Sequence, residues 1–234
     1  MARTLIVNAD DFGQSPGVNR GIAEAHERGI VTSASLMVRW PAAEAAATYA
    51  RAHPALGVGL HVDLGEWAHD GDAWRCRYQR VNLDDAAAVE REVRAQLECC
   101  RDLLGRDPTH LDSHQHVHLR EPMRSILTRM AGELGVPLRH VTPGVRYHGG
   151  FYGQTATGEP LPELVGVASL MSWLPTVGEG VTELACHPGY AEDLDTVYQA
   201  ERAIEVRTLC AGEVRTTLAS ERIRLQSFGD LLLT

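Results

Sequence analysis

Two adjacent aspartates, Asp10 and Asp11, end an apolar run in TLIVNADDFG (4–13). Neighbouring carboxylates repel, so a strand end that carries both needs positive charge close by. Imidazoles occur at three other places: His61 in GLHVDL (59–64), four histidines in HLDSHQHVH (110–118), and His187 in ACHPGY (185–190). The chain holds 11 histidines against 3 phenylalanines, which makes the cluster conspicuous. Two imidazoles and one carboxylate can hold a divalent ion while leaving positions open for water. Such an ion would neutralise one aspartate of the pair and leave the other free as a base. A bound metal brings the pKa of its water down to about 7 in the best zinc cases. No Ser-His arrangement and no phosphate-cradling glycine loop competes with this chemistry.

Each motif also has a plainer reading. Asp-Asp-Phe-Gly after a strand can be an Asx turn. His61 alone can be a core histidine bonded to a carbonyl, the histidine cluster an exposed loop, and His187 a strand-end residue. His114, His116 and His118 alternate, and on an extended segment they share one face. His26, His53, His69 and His148 lack such context and read as surface or helix residues. Asp84-Asp85 reads as a helix start that needs no metal. What favours a shared site is that all four motifs sit at the ends of expected strands.

The elements that must position them alternate. Apolar runs at 4–9, 33–38, 56–64, 109–114, 136–141, 181–187 and 223–228 read as strands. Helical patterns lie between them. Ser15 is placed to cap the first, with Pro16 as its first residue and Gly29 as its end. Pro41 begins an Ala-rich helix, and 84–105 spaces Val89, Val93, Leu97 and Leu104 for a helix stopped by Gly105. The polar segment 65–82 reads as a loop, and 143–180 is rich in Gly and Pro without a clear pattern. Repeated strand–helix units imply a parallel sheet with helices outside it, closed into a barrel or left open. Strand C-termini gather on one face of such folds. We expect one α/β domain over 1–234, a distorted TIM-like β/α barrel with parallel strands and outer helices.

The net charge is −9, which argues against a nucleic-acid partner, and no basic cluster suggests a membrane surface. Five cysteines without a CxxC spacing read as reduced thiols. With no leader-like start and no long apolar run, a cytoplasmic location is expected. The sequence leaves the oligomeric state open and permits a homodimer.

LIVNADDFG, GLHVDL, THLDSHQHVH and CHPGY, in this order, resemble the YdjC/ChbG family of carbohydrate deacetylases; FYG at Phe151–Gly153 fits the same likeness. The resemblance spans residues 4 to about 228. It implies a barrel-like deacetylase that removes N-acetyl groups from amino sugars, including acetylated chitooligosaccharides, with a divalent metal. By the same resemblance Asp11, His61 and His114 would hold the metal. Asp10 would be the general base and His187 the acid that protonates the leaving amine. Two imidazoles suit zinc, whereas the resemblance suggests magnesium. Two rivals remain: a non-catalytic sugar-binding barrel, using Trp67, Trp74, Tyr78 and Tyr152 as platforms, and a metal-dependent phosphoesterase, with Arg139 or Arg146 on the phosphate.

Overall fold

A computed structural model describes residues 2–69 and 71–231. Its centre is β1 (Arg3–Phe12), buried on both faces along nearly its whole length. Two-sided burial explains the unbroken apolar run LIV, since parallel strands covered by helices do not alternate with solvent. The chain then forms α1 (Pro16–Glu27), β2 (Ser33–Leu36), α2 (Ala43–Ala52) and β3 (Gly57–Val62). After an excursion, β4 (Gly65–His69) and β5 (Trp74–Gln79), come α3 (Ala86–Leu104), β6 (Leu111–Ser113) and α4 (Met123–Leu134). The last part holds β7 (Val145–His148), α5 (Val167–Trp173), β8 (Gly180–Cys186), α6 (Ala200–Leu209), α7 (Gly212–Ser220) and β9 (Ile223–Leu225).

The main sheet runs β6-β3-β2-β1-β8-β7, with β9 also paired to β1, and every pairing is parallel. Its outer strands are β6 and β7, which do not pair. Side chains from β1, β6 and β8 nevertheless meet at Arg139, between those outer strands in sequence. The sheet is therefore curled into a barrel that stops short of closure, with helices outside it. This is the expected architecture.

Local rules account for most boundaries. Ser15 accepts the Val18 N–H and caps α1, Pro16 is its first residue, and α1 stops at Glu27, two residues before Gly29. Asp85 accepts from Ala88 N and caps α3, and Gly105 ends it at φ 70, where a residue without Cβ is unstrained. Val89, Val93, Leu97 and Leu104 are buried, as their spacing requires.

Three expectations fail. Segment 65–82 is not a loop but contains the antiparallel hairpin β4–β5, folded around Gly71 at φ 100. Gly71 is a turn signal that its polar flanks obscured. Segment 136–141 is not a strand: it contributes one bridge, Leu111 to Leu138, and then turns. The strand in that part of the chain is β7, inside the Gly- and Pro-rich region. Finally, His114–Leu119 is a 3₁₀ turn with Gln115 and His116 in left-handed conformations, so the alternating histidines do not share a face. His148 lies on β7, partly exposed and stacked on Trp173.

Helix α1 meets the loop after β8 at very close range. A Cβ on Gly21 would lie 2.4 Å from Gly189 Cα, a backbone atom two residues from His187. Gly21→Ala should lower stability by about 1–3 kcal/mol, or roughly 2–12 °C in Tm for a chain of this size. A calorimetric scan with an unchanged midpoint would show that the loop yields freely.

Candidate active site

Strict alternation along β1 would send Asp10 and Asp11 to opposite faces of the sheet. The strand avoids this at Asp11, whose φ of 66 is left-handed, and the β1–β2 register shifts between Ala9 and Phe12. For a non-glycine residue that backbone costs of order 1–3 kcal/mol. The gain is that both carboxylates line one cavity of about 530 Å³. The same cavity is lined by His61, His114 and His187. All five residues singled out in the sequence are thus brought together from the ends of β1, β3, β6 and β8.

Asp10 is held by Arg139. The guanidinium donates to both Asp10 oxygens at 2.7 Å, and to Glu183 at 2.7 Å. It also lies 3.0 Å from Asp112. Asn8 adds a bond to Asp10 at 2.8 Å. Arg139 is 2% exposed, so these charges meet away from solvent. Burial pushes the Asp10 carboxyl upward, but Arg139, with help from His61, more than reverses this and the pKa falls below its ordinary value. One guanidinium cannot keep three buried carboxylates ionised. Glu183 is the one that gives way: burial outweighs Arg139 and raises its pKa to about 7.

Asp11 has a different cation. Arg202 on α6 donates to Asp11 Oδ2 at 2.6 Å. Burial opposes ionisation here too, yet Arg202 and His114 hold the pKa well below the ordinary carboxylate range. The two arginines therefore supply the positive charge that the aspartate pair demanded. The residue pattern points to a metal for that task and to Arg139 only as a phosphate clamp, and it does not single out Arg202. A signal for Arg202 existed: Arg202 and Glu205 stand four residues before Val206 and Leu209, on the buried stripe of α6.

The other oxygen, Asp11 Oδ1, is buried and accepts no hydrogen bond. It lies 3.5 Å from His61 Nε2 and 3.3 Å from His114 Nδ1. His61 directs its Nδ1–H to Asp112 at 2.8 Å, which turns the Nε2 lone pair toward Asp11. Such a carboxylate behind a histidine is the usual support for a metal ligand. Asp11, His61 and His114 bring their ligand atoms within 4.8 Å of one another. Asp10, His61 and Asp112 also cluster, but Asp10 and Asp112 are already committed to Arg139 and His61. Burial lowers the basicity of His114, yet Asp11 and Glu66 overcome this and raise its pKa to about 10. His61 is raised as well, through Asp112, Asp10 and Asp11 acting against burial. The site thus favours an added positive charge, which a divalent ion can supply in place of the protons. These residues fit a metal ion.

His187 directly follows β8, the strand paired with β1, and so lies beside Asp10. Its backbone N–H donates to the Glu205 carboxylate, and its ring packs against Tyr152 and Tyr198. His187 Nε2 stands 3.8 Å from Asp10 Oδ2. Burial lowers its pKa to about 4 despite the pull of Asp10 and Asp11, so the imidazole rests neutral. Of the remaining cluster, His116 contacts Tyr147 Oη, while His118 bonds Ser113 and the Arg139 carbonyl.

Trp67, Tyr152 and Leu119 also line the cavity, the last two of them exposed. Trp67, Gln115 and Tyr152 are shared with an adjoining cavity of about 560 Å³ that also includes Trp74 and Arg120. Tyr78 is not a platform, since its hydroxyl donates to buried Asp63 at 2.9 Å. Arg146 lies away from the cavity and bonds Gly178 and Thr182. The five cysteines are unpaired. Among the described residues no helix is long and apolar enough to cross a membrane.

A family profile described as YdjC-like protein matches residues 4–220. A carbohydrate deacetylase of Brevibacillus brevis is 35% identical, with 97% of this chain and 99% of that protein aligned. One from Geobacillus stearothermophilus is 37% identical over 98% of each chain. A chitooligosaccharide deacetylase of Salmonella paratyphi B is 32% identical over 99% of this chain and all of its own. Among solved structures, a candidate cellobiose-phosphate cleavage protein of Enterococcus faecalis superposes with TM-score 0.77 at 27% identity, with 100% of both chains covered. A family 4 carbohydrate esterase from Streptomyces lividans has the same fold at TM-score 0.52 and 11% identity, over 95% of this chain and 91% of its own.

Replacing Arg139 tests the charge cluster. Arg139→Leu strands buried carboxylates and should lose about 3–5 kcal/mol at neutral pH. Arg139 depresses the folded pKa values of Asp10 and Asp112, so their stabilisation is present above the unfolded value near 4 and disappears as pH falls through the folded one. The gap between variant and parent in urea titrations should therefore narrow below about pH 4. A loss under about 1 kcal/mol at pH 7 would contradict this account of the cluster.

Proposed function

The chain belongs to the YdjC-like protein family, and on that premise we propose that it is a metal-dependent carbohydrate N-deacetylase. Its substrate is an acetylated amino sugar or a short chitooligosaccharide, and the bond broken is the acetamide C–N bond. One observation carries this reading: an ionised carboxylate clamped by Arg139 stands beside the donor set Asp11, His61 and His114, with His187 Nε2 3.8 Å from it.

A divalent ion held by Asp11, His61 and His114 would supply Lewis acidity to the acetamide carbonyl and acidify a water molecule. Two imidazoles favour zinc or a similar transition ion over magnesium. The chain's own groups do the rest. Asp10 is ionised at neutral pH and takes a proton from water as the water attacks the carbonyl carbon. Arg139 holds both Asp10 oxygens, so the base cannot rotate away. His187 starts neutral and lies within reach of Asp10, so the proton removed from water can pass to the imidazole. His187 then gives it to the departing amine. Trp67 and Tyr152 offer flat apolar faces for a sugar ring.

A phosphoesterase would need cationic groups free to meet the phosphate. The arginines nearest the aspartate pair, Arg139 and Arg202, are occupied by Asp10 and Asp11. A passive sugar-binding barrel would leave the strained Asp11 backbone and the Asp10–His187 pairing without a role.

Acetate release from N-acetylglucosamine oligomers, with and without chelator, is the direct test. His187→Ala should bind metal normally and lose about 10²–10⁴ in kcat; undiminished turnover removes His187 from the reaction. Asp11→Ala should lose both metal and activity, and stoichiometric metal in that variant would mean that the donor set is wrong.

A further inference from the structure

His61 and His114 flank Asp11 in similar ways but are supported differently. Behind His61 stands Asp112, bonded at 2.8 Å. Behind His114 the Nε2 atom is buried and has no hydrogen-bond partner among the described residues. It is aimed at Glu66 Oε2, 3.6 Å away. That separation exceeds a formed hydrogen bond, and contacts of this kind are often long until a site is loaded.

The hairpin makes the approach of these two side chains a built feature. Trp67 N–H donates to Gln115 Oε1 at 3.0 Å, and Gln115 Nε2 returns a bond to the Trp67 carbonyl at 2.8 Å. Glu66 directly precedes Trp67, and His114 directly precedes Gln115. The double bond between the later pair therefore brings the earlier pair side by side. The base of the hairpin is anchored in turn. Buried Asp63 accepts from Tyr78 and Gly65 at Oδ1 and from Arg80 and Trp40 at Oδ2.

We infer that Glu66 is a positioning residue for the metal site: it accepts the Nε2–H of His114 and so fixes the ring with Nδ1 facing Asp11 and His61. This rests on the donor set proposed above. It assigns the β4–β5 hairpin, which departs from the barrel, a part in metal retention as well as in covering the cavity.

The test is metal affinity of the full chain, stripped of metal and titrated with Zn²⁺ against a chromophoric chelator. Removing such a supporting carboxylate typically weakens metal binding 10–100-fold, and Glu66→Ala should show a loss of that size. Glu66→Gln, whose amide oxygen can accept the same N–H, should recover most of it. Co²⁺ absorption should change in band shape in Glu66→Ala and return toward the parent in Glu66→Gln. Melting of the metal-free proteins checks that both variants fold. Unchanged Zn²⁺ affinity in Glu66→Ala overturns the inference. Equal losses in both variants also overturn it, because the carboxylate would then act by charge or by direct ligation. Asp11→Ala measured alongside separates the two readings: if it too binds Zn²⁺ normally, the donor set itself is at fault.

Discussion

A single buried guanidinium organises the floor of this barrel. Arg139 comes from the turn after the Leu138 bridge and reaches Asp10 on β1, Asp112 on β6 and Glu183 on β8. A charge removed from water is tolerable only when it is paired and hydrogen-bonded. Here the need is mutual, since each carboxylate is as buried as the arginine. The curled sheet cannot flatten without breaking these contacts, and the contacts cannot form unless the sheet curls. Fold and site are stabilised by the same set of bonds.

The polar layer extends beyond the reactive residues. Ser35 on β2 accepts from Asn8, donates to Asp112 and meets His110. His61 completes the chain through Asp112. The lumen at this level is thus a hydrogen-bonded network rather than the layered aliphatic packing common in closed β/α barrels. Buried hydrogen-bonded networks of this kind specify geometry because each member constrains the next. Among the described residues the buried atoms left unbonded include Asp11 Oδ1, His114 Nε2 and His187 Nδ1, which belong to residues proposed to hold metal or move protons, and also Asn8 Oδ1, His116 Nδ1, Glu183 Oε2 and Arg202 Nε around them.

The walls are divided between a rigid and an added part. The floor sits on strands paired within one sheet. The hairpin β4–β5 lies outside that sheet, and its Trp67 is joined to the floor segment through Gln115. Trp67 and Glu66 are carried on adjacent residues, so the element that covers the cavity also reaches His114.

Much of this was readable from residue order alone. Apolar runs, caps at Ser15 and Asp85, and the stop at Gly105 determined strands, helices and their alternation, because those signals act over a few residues. The motifs at strand ends determined which residues face the site, because a parallel β/α fold gathers strand C-termini. Tertiary structure decided the rest. Arg139 and Arg202 lie more than a hundred residues from the aspartates they serve, and local pattern cannot choose a distant partner. The left-handed turns at Asp11, Gln115 and His116 were equally hidden, since strain at non-glycine residues is imposed by surroundings rather than by propensity. The hairpin showed Gly71 as its turn residue, but only contact with the floor determined where its strands would lie. What the residue types announced was a need for positive charge beside two aspartates. Which groups met it depended on how the sheet curled.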